Sequence, residues 1–449
     1  MIARGLPFLL LVACGAEGAP ADDSLGTVRA ASQDTPTAAA RALRELESPA
    51  PRANARFGHA TAALDFDGDG NQDIAVGAPG EPAVYLFFGP GFERSRRFAP
   101  PEGRAGDFGH DLAEGDLDGR VGDELVVGAP KTDRAGDTAA GAVYVLAHGR
   151  ELATALAVRA GPGALLGTSV ALADFNGDGA TDVACGAPKH RIEGLQSGAV
   201  FLFCPSRESE WIVPNPVGPW KHGNFGHDLV VADADGDGKP DLFISALGNP
   251  STDGVKGAGQ VFVLRNPVGD GEVIAVEDPG ATSDDGARFG MSIFARDVNG
   301  DGKADLLVGA PRKNGGGVED AGQGFLFFGP AFAAEDHRTF LRPAAKPHDV
   351  LGFRALAADV VGDPRIDVLF CSLARHQDMA IVAWSGADLS APPRVWTPPS
   401  DAGHHFAQGL DHGRRAASAE PLLIGDPTFS RSGLLESGRV LIRLLDAGS

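Results

Sequence analysis

The 449-residue chain is poor in basic residues: 39 Lys and Arg stand against 60 Asp and Glu, for a net charge of -21. Nucleic-acid binding needs a basic footprint, so this balance excludes it, and it also disfavours attraction to anionic lipid. Cysteine is scarce. Cys14 lies near the N-terminus, and Cys185, Cys204 and Cys371 form an odd set within apolar runs. Three cysteines make no disulfide framework, so buried free thiols are expected, with a single disulfide as the alternative. Long apolar runs are missing too: beyond the N-terminus no segment is apolar enough to span a membrane as a helix. There is no CxxC, no phosphate-cradling loop and no Ser-His-Asp order. No pair of acids outside the motif described next asks to be catalytic.

What the chain has in plenty is Gly, at 62 residues, and a repeated acidic motif. At Asp65–Pro79 it reads DFDGDGNQDIAVGAP, and it recurs at Asp174–Pro188, Asp233–Ala246 and Asp297–Pro311. Carboxylates at alternate positions, glycines that allow a sharp turn and an acid at position nine describe a tight loop around a hard cation. Ca²⁺ takes six to eight oxygens in flexible geometry. An EF-hand closes at position twelve and leads into a helix, whereas here a β-type apolar run follows. The motif therefore reads as a calcium loop within a β-hairpin; an Asp-Gly turn that binds nothing is the alternative. The candidate ligands are Asp65, Asp67, Asp69 and Asp73; Asp174, Asn176, Asp178 and Asp182; Asp233, Asp235, Asp237 and Asp241; and Asp297, Asn299, Asp301 and Asp305. About four Ca²⁺ sites are expected.

In chain order, residues 1–20 read as an export signal with a short apolar core, Leu6–Ala13. Leu11-Val12-Ala13-Cys14 resembles the lipobox of bacterial lipoproteins, which implies cleavage before Cys14 and lipid on its sulfur; a plain cleaved signal is the alternative. Residues 21–40 read as a flexible tether. Residues 41–449 are repeats. Each starts with Phe-Gly or a relic of it: Phe57, Phe108, Leu166, Phe225, Phe289, Leu351 and Phe406, 51 to 64 residues apart. A small-residue strand, the acidic loop, a strand ending near Gly-Ala-Pro, a third apolar strand and a weaker fourth follow.

The ordered recurrence of Phe-Gly, DxDGDGxxD and GAP resembles the FG-GAP repeats of integrin α-chain headpieces. That resemblance implies an all-β fold, a seven-bladed β-propeller of four-stranded blades. Four short strands per repeat independently suit propeller blades. Repeat two has Arg120 at the third ligand position but keeps Asp116, Asp118, Asp123 and Glu124. Repeat six has Val361 at the second and keeps Asp359, Asp363 and Asp367. Repeat seven has no acidic loop, only Leu422–Pro427 as a relic of GAP. Calcium is assigned to repeats one, three, four and five alone. Blade seven has three C-terminal strands, so residues 42–48 are expected to close the ring beside Arg439–Leu445.

The loops after GAP and before Phe-Gly open on the face opposite the calcium loops, which in integrins binds partners. Trp220, Lys221 and His222 stand out there as a candidate ligand-binding anchor. His59, His110 and His227 each follow Phe-Gly and read as a packing ring near the central channel. His404, His405, His412 and Asp411 give a weak transition-metal candidate. The leading expectation is an exported or envelope-anchored adhesion module that recognises a protein or glycan. An enzyme on a propeller scaffold, such as a polysaccharide lyase or hydrolase, and a structural envelope protein are the alternatives. A cluster of perturbed titratable residues at the channel mouth would favour the enzyme; the sequence displays none.

Overall fold

The computed structural model describes residues 28–30, 43–101, 106–134, 136–149, 154–156, 160–204, 209–269, 271–281, 286–360, 365–373, 379–399, 402–403, 405–412, 422–430 and 435–443. Cys14, the expected export signal, most of the expected tether, Val361, Asp363 and His404 lie outside the described residues. Among the described residues the only helical element is a 3-10 turn, Gly315–Gly317. All other regular structure described is strand, arranged as seven blades of four strands in a ring, with a small two-stranded hairpin, Arg191–Ile192 with Leu195–Gln196, outside them.

Blade one is Thr61–Leu64, Asp73–Ala78, Ala83–Phe87 and Ser95–Phe98, each antiparallel to the next. The inner strands of blades two to six are Leu112–Gly115, Val170–Ala173, Phe225–Ala232, Ser292–Arg296 and Leu351–Ala358. Blade seven takes Leu410–His412, Leu422–Asp426 and Arg439–Arg443 from the C-terminal end. Its fourth strand, Leu43–Leu46, comes from the other end of the chain, with Leu43 opposite Arg443 and Leu46 opposite Val440. This pairing gives the exposed edge of Arg439–Arg443 a hydrogen-bonding partner. Val28–Ala30 then adds a fifth strand outside Leu43–Leu46. Of residues 21–40, expected from the sequence to be a tether, only these three are described.

The second strand of every blade from one to six is buried along its whole length. A neighbouring blade covers each of its faces, which is why these strands read as continuous apolar runs and not as alternation. The Phe of each Phe-Gly is buried and meets an aromatic of its own third strand edge-on: Phe57 on Tyr85, Phe108 on Tyr144, Phe225 on Phe262 and Phe289 on Phe325, with centroids 5.3–5.7 Å apart.

The two glycine motifs fit each other across the blade boundary. A Cβ on Gly77, the GAP glycine of blade one, would lie 2.1 Å from the carbonyl oxygen of Gly109, the Phe-Gly glycine of blade two. Gly109 itself has φ +89 and abuts the Ala83 carbonyl. The same fit recurs at Gly128 with Gly167, Gly186 with Gly226, Gly309 with Gly352, and Gly425 with Gly58 across the closure. At these five boundaries glycine fits both positions because backbone meets backbone there, whereas blade four carries Ser245 at the GAP position and blade six Cys371.

Candidate functional site

The acidic loops follow the inner strands of blades one to five and gather on one face. Oxygens of Asp65, Asp67 and Asp73 lie within 4.8 Å of one another, as do those of Asp233, Asp235 and Asp241. These are positions one, three and nine of the loop. Position five also shapes the turn: Asp69 Oδ1 accepts the Asn71 N–H (2.8 Å) and Asp237 Oδ1 the Lys239 N–H (2.8 Å), just as Asp65 and Asp233 accept the Gly70 and Gly238 N–H groups (3.0 and 2.8 Å). In repeats three and five the Asn176 and Asn299 amides point a nitrogen at Asp182 and Asp305. Flipping such an amide would present its oxygen to a cation.

Blade two also gathers a set. Asp116, Asp118 and Glu124 converge within 4.8 Å, with Arg120 beside Asp118 at 3.6 Å. Calcium was not assigned there from the sequence because Arg120 occupies position five. Glu124 stands at position nine and fills the closing place of the loop.

The closing acid is a fastener in its own right. Asp73 accepts the Phe66 N–H (3.0 Å) and the Gly89 N–H (2.8 Å), tying the loop to the turn after strand three. Asp241, Asp305 and Asp367 repeat this double grip, and Asp182 and Glu124 its first half. Burial pushes the carboxyls of Asp73 and Asp305 up to about 6, against the backbone N–H groups that stabilise the anion. Basic side chains attend position three: Arg94 pairs with Asp67, and Arg265 lies 3.5 Å from Asp235. Neighbouring loops are latched by the Asp123 N–H on the Asp65 carbonyl (2.7 Å) and the Ala304 N–H on the Asp233 carbonyl (2.8 Å).

A divalent cation fits these loops. Asp65 Oδ1, Asp67 Oδ1 and Asn176 Oδ1 are buried without a hydrogen-bond partner among the described residues. Buried polar oxygens normally find one. Loops of three or four hard oxygen donors, with backbone carbonyls near, suit Ca²⁺.

On the opposite face, Trp220 is 44% exposed. Its loop is anchored by the Trp220 N–H on Ser197 Oγ (3.2 Å) and by a buried amide network, Asn215 to Asn249 to Gln260. Lys221 and His222 sit exposed beside it.

The channel opens on that same face, because Phe-Gly stands at the start of each inner strand and the acidic loop at its end. A cavity of about 290 Å³ lies at the mouth. The residue after each Phe-Gly pair lines it, one per blade: His59, His110, Thr168, His227, Met291, Phe353 and Gln408. His59 and His110 pack with their rings tilted at 44° and centroids 4.8 Å apart. Arg56 and Gln408 Nε2 both donate to His59 Nδ1 (2.9 and 3.0 Å), so its proton sits on Nε2. Burial lowers all three histidines, with added repulsion from Arg354: His110 to about 4, His227 to about 3 and His59 well below its ordinary value. One step deeper, Asp111 accepts the Val170 N–H (2.8 Å) and Asp228 the Ile293 N–H (3.0 Å), each from the next blade. Burial raises both carboxyls, Asp228 to about 6. Arg354 spends its Nε on the Gln408 carbonyl (2.6 Å).

Comparison with known proteins accounts for the repeats. The family model of the FG-GAP repeat matches residues 57–91, 166–203, 225–264 and 289–327. These are FG-GAP repeats. They fall on blades one, three, four and five, the blades with complete acidic loops. Among curated relatives, the chain is 32% identical over 207 residues to Phosphatidylinositol-glycan-specific phospholipase D of Homo sapiens, covering 42% of this chain and 24% of that protein. It is 32% identical to Integrin alpha-PS2 of Drosophila melanogaster over 197 residues, 41% of this chain and 12% of the relative. It is 32% identical to human Integrin alpha-IIb over 237 residues, 47% and 20%. The chain thus spans a quarter or less of the length of these relatives.

The FG-GAP propeller brings together positions one, three and nine of loops one and four, and leaves position five at the turn. Cys185, Cys204 and Cys371 are buried free thiols. His405 reaches the channel set through Gln408 Oε1 (3.0 Å), whereas His412 packs against Phe294 at 5.8 Å. No group of three metal-binding side chains forms around either histidine among the described residues. Sequence reasoning placed the recurring histidines near the channel but missed Asp111, Asp228 and Arg354. Each stands second after its Phe-Gly pair, and that shared position was the available signal.

Proposed function

We propose that this chain is an exported recognition module: an FG-GAP propeller fastened by Ca²⁺ in blades one, three, four and five, which adheres to a protein or glycan through loops opposite the acidic ones. The orphaned oxygens of Asp65 and Asp67 support the cation. The observation that carries recognition is Trp220, an exposed aromatic beside Lys221 on an internally braced loop. Braced aromatics lose little entropy on binding and anchor interfaces. The test is a glycan and protein array probed with the calcium-loaded protein. Trp220→Ala with Lys221→Ala should lower affinity for whatever is captured by about 2 kcal/mol without shifting the melt. Undiminished binding by that variant, with loss on altering the opposite face, would reverse the face assignment.

A second reading has an observation of its own. The imidazoles and carboxyls at the channel mouth are the perturbed cluster that would favour an enzyme acting on polysaccharide. Turnover of an array-positive glycan, abolished by Asp228→Asn, would replace adhesion with catalysis.

A further inference from the structure

We propose that the channel mouth is a binding site for one neutral sugar or polyol ring, a site separate from the loop that carries Trp220 and independent of the recognition reading above. The cavity of about 290 Å³ is of monosaccharide size, at the small end of ligand pockets, which begin near about 300 Å³. Its charges select against ions of either sign. Asp111 and Asp228 repel an anion, and Arg354 repels a cation. A hydroxyl group satisfies both, since it donates to a carboxylate and accepts from a guanidinium.

Three residues of the lining each carry a polar atom that lacks a partner. Thr61 Oγ1, His110 Nδ1 and His227 Nδ1 are buried with no hydrogen-bond partner among the described residues, and Thr61 is only 8% exposed. Such groups are rare in folded proteins and are normally met by water or ligand. Each neutral imidazole offers one donor and one acceptor, the pattern that vicinal hydroxyls complement. Phe294 and Phe353, on blades five and six, add apolar surface across the ring from His59 and His110, suited to the C–H face of a sugar.

The experiment uses the calcium-loaded chain with glucose, galactose, mannose and N-acetylglucosamine, and with glucuronate and glucosamine as charged counterparts. Binding is followed by calorimetry and by imidazole and indole NMR shifts. Saturable binding of at least one neutral sugar is expected, moving the His110 and His227 signals and leaving Trp220 unmoved. Arg354→Met should weaken it about tenfold or more, the cost of one charge-assisted hydrogen bond. Trp220→Ala should leave it intact, so failure here and failure of the loop reading are distinguishable. If Arg354→Met does not fold, Met291→Trp, which fills the cavity from blade five, should abolish binding. No saturation by any neutral sugar, preference for glucuronate or glucosamine, shifts confined to Trp220, or unchanged affinity in both channel variants would overturn the site.

Discussion

Withdrawing the cation should loosen the ring from its acidic face. In loop one, three carboxylates have oxygens within 4.8 Å of one another. At that distance each pair repels by roughly 1 to 3 kcal/mol at effective dielectrics of 80 to 20. Arg94 offsets part of this at Asp67, but it is 64% exposed and contributes about 1 kcal/mol or less. A cation at a hundredfold excess over its dissociation constant adds about 2.7 kcal/mol per site. Four sites give about 11 kcal/mol if independent, which for a ring of roughly 400 residues melting as one unit corresponds to about 10 °C. The assay is a thermal melt with Ca²⁺, with Mg²⁺ and with chelator. Mg²⁺ should substitute poorly because it demands near-octahedral geometry and holds its water. Arg94→Gln should lower the chelated melt and enlarge the Ca²⁺ response, since the metal then carries charge that Arg94 had balanced. Superimposable melts, with no calcium by elemental analysis, would refute the reasoning. So would an Arg94→Gln protein whose Ca²⁺ response shrinks.

Three further outcomes follow from the packing and the channel. Gly77→Ala places a methyl 2.1 Å from the Gly109 carbonyl and should cost about 1–3 kcal/mol in urea unfolding. Blade four carries Ser245 facing Gly290, so the boundary adjusts and does not fail; a wild-type curve for Gly77→Ala would remove the interlock argument. Leu46→Ala truncates a fully buried side chain on the closing strand and should cost about 2–5 kcal/mol, with a coincident melt ruling out closure as a stabilising contact. Burial lifts Asp228 to about 6 against the opposing pull of Arg354, so the folded state holds a proton that the unfolded state releases. Its contribution to stability therefore falls as pH rises from about 4 to about 6. Asp228→Asn should reduce the slope in that window by its own share, Asp73 and Asp305 supplying the rest, measured by urea unfolding with chelator present; an unchanged slope would mean that Asp228 does not titrate there.

The sequence by itself determined the blades. Phe-Gly, the acidic loop and GAP are local patterns: a buried aromatic, a turn that glycine permits and a short apolar run each specify their own few residues of backbone. Seven Phe-Gly starts therefore gave seven blades, and complete DxDGDGxxD loops marked the repeats that the FG-GAP family model also matches. Tertiary structure decided what those residues meet. Loop position five looks like a ligand in sequence; in the fold Asp69 and Asp237 stand outside the close carboxylate groups and each accepts a backbone N–H of the turn. Blade two looks degraded at Arg120, yet Glu124 reaches back to Asp116 and Asp118. The fit of Gly77 against Gly109 joins two motifs that are each intelligible alone but whose contact exists only between blades. The channel set was the least legible part. Asp111, Asp228 and Arg354 come from blades two, four and six, more than a hundred residues apart in sequence. Their mutual fields exist only because the seven blades meet around one channel. Electrostatic coupling depends on distance through space, and a linear pattern fixes that distance only within a strand and its turn.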